Sequence, residues 1–168
     1  MENELKDTLT QRASECLLLV LDLFKDQEKW QGKTGGYLYV HKEGDKEPLL
    51  VMLVGTINPE KTDRYRTLCQ EKAERLHLIR VHVSSWQSRK PDIDQWGGAI
   101  KLASGYVISF SGLPELGDEA FCMYLAYMLE LAPIEELQAI ASISDNLYWL
   151  QIEMAYIVPR STPETTES

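Results

Sequence analysis

The segment 96–131, WGGAIKLASGYVISFSGLPELGDEAFCMYLAYMLEL, determines the fold that we expect for this chain. Two short apolar runs, 99–102 and 106–110, flank a Ser-Gly turn, which predicts a β-hairpin. Pro114 and the acids after it precede a long apolar run, as is typical of a helix N-terminus. Between hairpin and helix, the Ser-Gly pair at 111–112 is the place where backbone N–H groups could converge on an anionic group.

The composition predicts one globular domain, residues 1–158. The chain has 168 residues, of which 44% are apolar and 26% charged, and this is enough to bury a core without a disulfide or metal. The net charge of −9 argues against binding to nucleic acid. Three widely spaced cysteines indicate buried thiols, and no basic leader or long apolar run is present. We expect a cytosolic protein that does not bind a membrane.

The part of the chain before the central segment alternates helix and strand patterns. Apolar residues at helical spacing predict helices over 4–24 and 58–76, the second capped by Asn58 and started by Pro59. Strands are predicted over 35–41 and 49–54, which should pair as a hairpin, and over 79–83. The polar stretch 84–95 is predicted to be a long loop.

After the central segment, two further helices are predicted, 133–143 and 145–158. Ser144 is the expected cap of the second helix, and Pro159 its expected end. Residues 159–168 are rich in Thr, Ser, Glu and Pro, which predicts a disordered tail. The whole order indicates an α+β fold in which a central antiparallel sheet carries helices on both faces, with the C-terminal helices added to it.

Several landmarks of this chain resemble the GlcG-like family, which includes the C-terminal domain of PduO-type proteins. The landmarks occur in order within residues 4–131: Lys72-Ala73, Gly97-Gly98, Gly105, Ser111-Gly112 and Asp118-Glu119. The resemblance implies a profilin-like fold and a usually oligomeric module. It also implies that this module binds haem, another tetrapyrrole or a similar ligand without catalysis. The two C-terminal helices at 133–158 lie outside the match.

The candidate ligand site consists of a turn and a loop. The turn residues precede a helix whose free N–H groups and dipole favour an anion, and the loop offers aromatic rings and a cation. The candidate residues are Trp86, Arg89, Trp96, Gly97, Gly98, Ser109, Ser111 and Gly112. The alternative is structural: the glycine and serine only form a turn and a cap, and a tryptophan only anchors the loop.

His41 and His82 are weak candidates for metal or haem ligands, because both occupy predicted strand positions that could face an apolar pocket. No nucleophile–base pair, phosphate loop or zinc motif occurs in the sequence, so an enzyme is the least favoured class. Two functions remain. The first is a non-catalytic module that binds haem or another small anionic molecule. The alternative is an adaptor that binds another protein or its own copies through the sheet edge or the C-terminal helices.

Overall fold

The fold is described for residues 2–161, from a computed structural model of the chain. Within these residues, a four-stranded antiparallel sheet has the order β2-β1-β4-β3. The strands are β1 (Gly35–Lys42), β2 (Leu50–Gly55), β3 (Ala99–Lys101) and β4 (Tyr106–Ser111). Both predicted hairpins are present, since β1 pairs with β2 and β3 pairs with β4. The predicted α+β class with an antiparallel sheet is confirmed.

Helices cover both faces of this sheet, as predicted. They are α1 (Glu2–Phe24), α2 (Thr62–Leu78), α3 (Glu115–Met128), α4 (Ile134–Ser144), α5 (Leu147–Ile152) and the single turn α6 (Val158–Ser161). Helix α2 packs on one face, while α1 and α3 pack on the other. Helices α4 and α5 pack behind α3. As predicted, Asn58 caps the turn that leads into α2, its side chain accepting a hydrogen bond from the Glu60 N–H group.

Strand β4 places alternate side chains on the two faces, and this positions the candidate site. Ile108 and Phe110 belong to the large core shared with α1 and α3, whereas Val107 belongs to the smaller core under α2. Because side chains alternate along a strand, Ser109 and Ser111 lie on the same face as Val107. Two hydroxyls are therefore buried beneath α2.

The predicted strand over 79–83 is wrong. This segment forms a turn after α2, with Val81 85% exposed. The physical reason is the ammonium of Lys101, which donates hydrogen bonds to the carbonyl groups of Leu76, Ile79 and Arg80. These carbonyls therefore close the C-terminus of a helix instead of pairing with a neighbouring strand.

The predicted cap and end of the last helix are also wrong. Asn146, not Ser144, accepts a hydrogen bond from the N–H group of Trp149. The chain continues through a π-helical turn, Glu153–Ile157, into α6, where Pro159 lies in the first turn. The helical backbone therefore runs from residue 147 to residue 161, and Pro159 lies within it rather than ending it. Of the predicted disordered tail, residues 159–161 are thus helical, and 162–168 lie outside the described residues.

The C-terminal helices are part of the main core. Trp149 and Ile152 are both fully buried, while Leu150 and Met154 on the opposite side are 50% and 68% exposed. The Tyr156 ring stacks against Tyr124 of α3. No helix among the described residues is long and apolar enough to cross a membrane.

Candidate functional site

A cavity of about 280 Å³ lies between α2 and the N-terminus of α3. We call it the lysine cavity, because the side chain of Lys72 lines it although that residue is only 2% exposed. Four of the eight predicted site residues also line this cavity: Trp96, Gly97, Ser111 and Gly112. The turn before α3 is thus next to a concave space, as a ligand site requires.

The Lys72 ammonium is held in place by neighbours on β4 and α3. It donates hydrogen bonds to the Phe110 carbonyl oxygen at 2.7 Å and to Asp118 Oδ2 at 3.1 Å. An ammonium has three N–H donors, so one has no partner among the described residues. Gly98, another predicted site residue, allows this arrangement, because a Cβ atom there would lie 2.6 Å from Lys72 Nζ.

The Asp118 carboxyl is the other buried charge beside this cavity. Its Oδ1 atom accepts a hydrogen bond from the Leu113 N–H group at 2.8 Å. Burial raises the pKa of Asp118 to about 7, although Lys72, the Leu113 N–H group and the charge of Lys33 act in the opposite direction. The positive field of Lys72 is therefore only partly cancelled by this carboxyl near neutral pH.

Ser111, a residue of the wall of the lysine cavity, has an unpaired buried hydroxyl. The residue is 2% exposed, and its Oγ atom has no hydrogen-bond partner among the described residues. Buried hydroxyls in folded proteins are nearly always hydrogen-bonded. Ser109 Oγ, also buried and unpaired, does not line this cavity. Of these two unpaired hydroxyls, only that of Ser111 belongs to a residue of the cavity wall.

The lysine cavity is basic although the chain as a whole carries a net charge of −9. Its charged side chains are the bases Lys33, Lys61, Arg64 and Lys72 and the acids Glu115 and Asp118. The two acids are already paired, Glu115 with Arg89 and Asp118 with Lys72. Lys72 and Arg64 are themselves paired, with Asp118 and Asp94, so the cations in excess at this cavity are Lys33 and Lys61, which favour an anion.

The loop at 84–95, predicted to contribute to the ligand site, is held to the rest of the fold by hydrogen bonds and an ion pair. Arg75, a buried residue of α2, donates hydrogen bonds to the carbonyl oxygens of Ser88 and Trp96. Arg64, also in α2, donates two hydrogen bonds to the Asp94 carboxylate in the loop, at 3.0 and 3.1 Å. These contacts hold the end of the loop in place, and the two residues that follow it, Trp96 and Gly97, line the lysine cavity.

Trp86 and Arg89, the two predicted site residues in this loop, line a neighbouring cavity of about 470 Å³. The Arg89 guanidinium lies 4.4 Å from the centre of the Trp86 ring and forms two hydrogen bonds with the Glu115 carboxylate. Arg89 is therefore already neutralised and positions Glu115, whose Oε1 atom also accepts a hydrogen bond from the Gly97 N–H group.

The histidines do not lie at either cavity. His41 Nε2 forms a hydrogen bond with the Asp45 carbonyl oxygen, and its ring is perpendicular to that of His77 at 4.7 Å. His82 lies in the turn after α2. A haem iron needs an axial ligand in an apolar pocket, so the charged lysine cavity does not fit haem. Among the described residues, no group of three or more His, Cys, Asp and Glu side chains could hold a metal ion.

Sequence reasoning missed three important residues of this site: Lys33, Lys72 and Asp118. A signal was available for Lys72, because it follows Cys69 at the spacing of the apolar stripe on α2 and precedes the buried Ala73. A lysine in the buried stripe of a helix needs a charged or carbonyl partner. Asp118 and Lys33 carried no comparable signal.

The fold and the site define an α+β protein with a basic cavity at the C-terminal end of strand β4. Comparisons of the chain with protein-family models, with characterised proteins and with solved structures found no match.

Proposed function

We propose that this protein binds a small anionic molecule in the lysine cavity, without catalysis. The observation that carries the proposal is a buried lysine, Lys72, at the floor of a basic cavity in an acidic chain. In a site with little water, a fixed ammonium and a hydroxyl hydrogen-bond an anion more strongly than they would in solvent. The third N–H donor of Lys72 and the free Ser111 hydroxyl are the groups that would contact the ligand.

Of the two kinds of ligand expected from the sequence, the proposal retains a small anionic molecule and does not retain haem. A profilin-like fold and kinship with GlcG-like proteins stay hypotheses that the antiparallel sheet with helices on both faces is compatible with. The ligand is instead a carboxylate or phosphate small enough for about 280 Å³.

The test compares two serine variants, Ser111→Ala and Ser109→Ala. Both remove an unpaired buried hydroxyl from β4, but only Ser111 lines the lysine cavity. The measurement is a calorimetric titration with phosphate and with acetate at low salt. We expect saturable binding to the unmodified chain, about tenfold weaker binding to Ser111→Ala, and unchanged binding to Ser109→Ala.

Neither variant should lose stability, because an unpaired buried hydroxyl contributes no hydrogen bond to the folded state. Urea unfolding of both variants checks this point. Absence of saturable binding by the unmodified chain, or equal loss in both variants, would contradict the proposal.

A second candidate function is self-association through strand β2, for which the exposed side chains of this strand provide a reason. Val51 and Leu53 are 42% and 40% exposed, and β2 lies at the edge of the sheet. The six residues of β2 include no charge and no proline, the usual protections of an edge strand. We propose that two copies pair along β2, which corresponds to the homo-oligomer and adaptor role considered from the sequence.

A further inference from the structure

The cavity that contains Trp86 and Arg89 is also basic, and it adjoins the lysine cavity. We call it the outer cavity. Both cavities are lined by Lys33 and Glu115, and the outer cavity adds Lys29. Lys29 is exposed and Lys33 half-buried, and neither forms an ion pair among the described residues. Positive charge is therefore in excess here as well.

The wall shared by the two cavities includes Glu115, which would repel an anion if it were free. It is not free: its carboxylate accepts two hydrogen bonds from Arg89, at 2.7 and 2.8 Å, and one from the Gly97 N–H group at 2.7 Å. The bidentate guanidinium neutralises the carboxylate and occupies its oxygens. The uncompensated charges around the outer cavity are those of Lys29 and Lys33.

Lys33 connects the two cavities electrostatically. Its charge acts on the Asp118 carboxyl at the floor of the lysine cavity, where it lowers the pKa of that group against the effect of burial. The same ammonium lines the outer cavity beside Lys29. Lys33 thus contributes positive charge to both cavities. The cations form a series from Lys72 in the lysine cavity, through Lys33, to Lys29 in the outer cavity.

We propose that the ligand carries two anionic groups, one at Lys72 and Ser111 in the lysine cavity and one at Lys29 in the outer cavity, with Lys33 between them. This inference rests on the proposed function and makes it more specific. A compact anion such as phosphate contacts the cations of only one cavity at a time. A molecule with two anionic ends uses the cations of both.

The test measures the affinity of phosphate and triphosphate, and of acetate and adipate, for the unmodified chain and for Lys29→Ala. We expect triphosphate or adipate to bind more tightly than its single-group counterpart. We also expect Lys29→Ala to weaken only this longer ligand, by about fivefold, the order of an exposed ion pair. Tighter binding of phosphate and triphosphate than of acetate and adipate would indicate a phosphate ligand, and the reverse order would indicate a dicarboxylate.

Lys46→Ala is the matched control, because it removes the same charge from the exposed turn between β1 and β2. It should leave every affinity within twofold, which separates a local contact from a general effect of net charge. If phosphate or acetate binds but the longer anions gain nothing, or if both lysine variants behave alike, the two-group inference is wrong and the proposed function stands. If none of the four anions binds, the proposed function itself fails.

Discussion

At the scale of single residues, two adjacent carboxyls of α3 have separate roles. Asp118 faces Lys72 and the lysine cavity. Glu119 is fully buried and points in a different direction, where it accepts hydrogen bonds from Ser84, Ser144 and Asn146. Adjacent residues of a helix point about 100° apart, which allows this division. One carboxyl thus serves the candidate site, and the other fixes the C-terminal helices to the core.

The Asp118 carboxyl gives a prediction about pH. Its pKa is raised from 3.8 to about 7 by burial, so between these values the folded chain binds a proton that the unfolded chain has released. The stabilising contribution of the protonated group is therefore complete below about pH 4 and is lost as the pH rises to about 7. We expect the stability of the unmodified chain, relative to Asp118→Asn, to fall over this range.

Urea unfolding at several pH values from 4 to 8 measures this difference. Asp92→Asn, in an exposed part of the loop, is the control for replacing an aspartate by asparagine. A relative stability that rises with pH would mean that attraction to Lys72 outweighs burial, and the predicted direction would be wrong.

At the scale of elements, β2 and β3 are both edge strands, but only β3 is covered. The Ser84 and Val83 backbone pairs with β3, through the Ser84–Ile100 bridge and the hydrogen bond from Lys101 N–H to the Val83 carbonyl oxygen. The free side of β2 has no strand partner among the described residues. Apolar side chains on an uncovered edge favour pairing with another strand.

The proposed self-association predicts that Leu53→Lys converts a dimer to a monomer. A lysine on each copy would place like charges close together across the paired edges and prevent burial of this position. Sedimentation velocity at several concentrations measures the change. Leu78→Lys is the control, since Leu78 is 83% exposed at the end of α2, away from the sheet edge. A monomeric unmodified chain, or a dimer unaffected by Leu53→Lys, would contradict this role of β2.

At the scale of the whole molecule, the C-terminal helices complete the core begun by the central segment. From the sequence alone, these helices could either cover their own sheet or bind a partner. The buried Trp149 and Ile152 show that one side packs within the chain, and the exposed Leu150 and Met154 show that the other does not. A fragment without residues 133–168 would therefore lack part of its own core.

Two neighbouring substitutions test this assignment of the two sides. Trp149→Ala should cost about 3–5 kcal/mol of unfolding free energy, because it leaves a large cavity in a packed core. Leu150→Ala, on the exposed side of the same helix, should change stability by no more than about 0.5 kcal/mol. Urea unfolding measures both, and similar values for the two variants would show that α5 does not contribute to the core as described.

The sequence by itself determined the fold class and most of the elements. Hairpins and helices depend on short-range features, such as the turn at Gly105 and the cap at Asn58, so each could be predicted from a few neighbouring residues. The strand over 79–83 was wrong because its local pattern competes with a distant contact, the Lys101 ammonium that binds the carbonyls at the end of α2. Ser144 failed as a cap for the same kind of reason, since its side chain is directed to Glu119, to which its hydroxyl donates a hydrogen bond.

The residues of the candidate site also fall into two groups, those that could be predicted from the sequence and those that could not. Trp96, Gly97, Ser111 and Gly112 could be found from sequence because they adjoin the hairpin and the start of α3. Only the tertiary structure decided that Lys72 lies under them and that Lys33 reaches the same space. Apart from a spacing signal such as that of Lys72, an exposed cation and a buried one differ little in a sequence. What distinguishes them is the loss of water around the charge and the partners that compensate for it, and both depend on residues far apart in the chain.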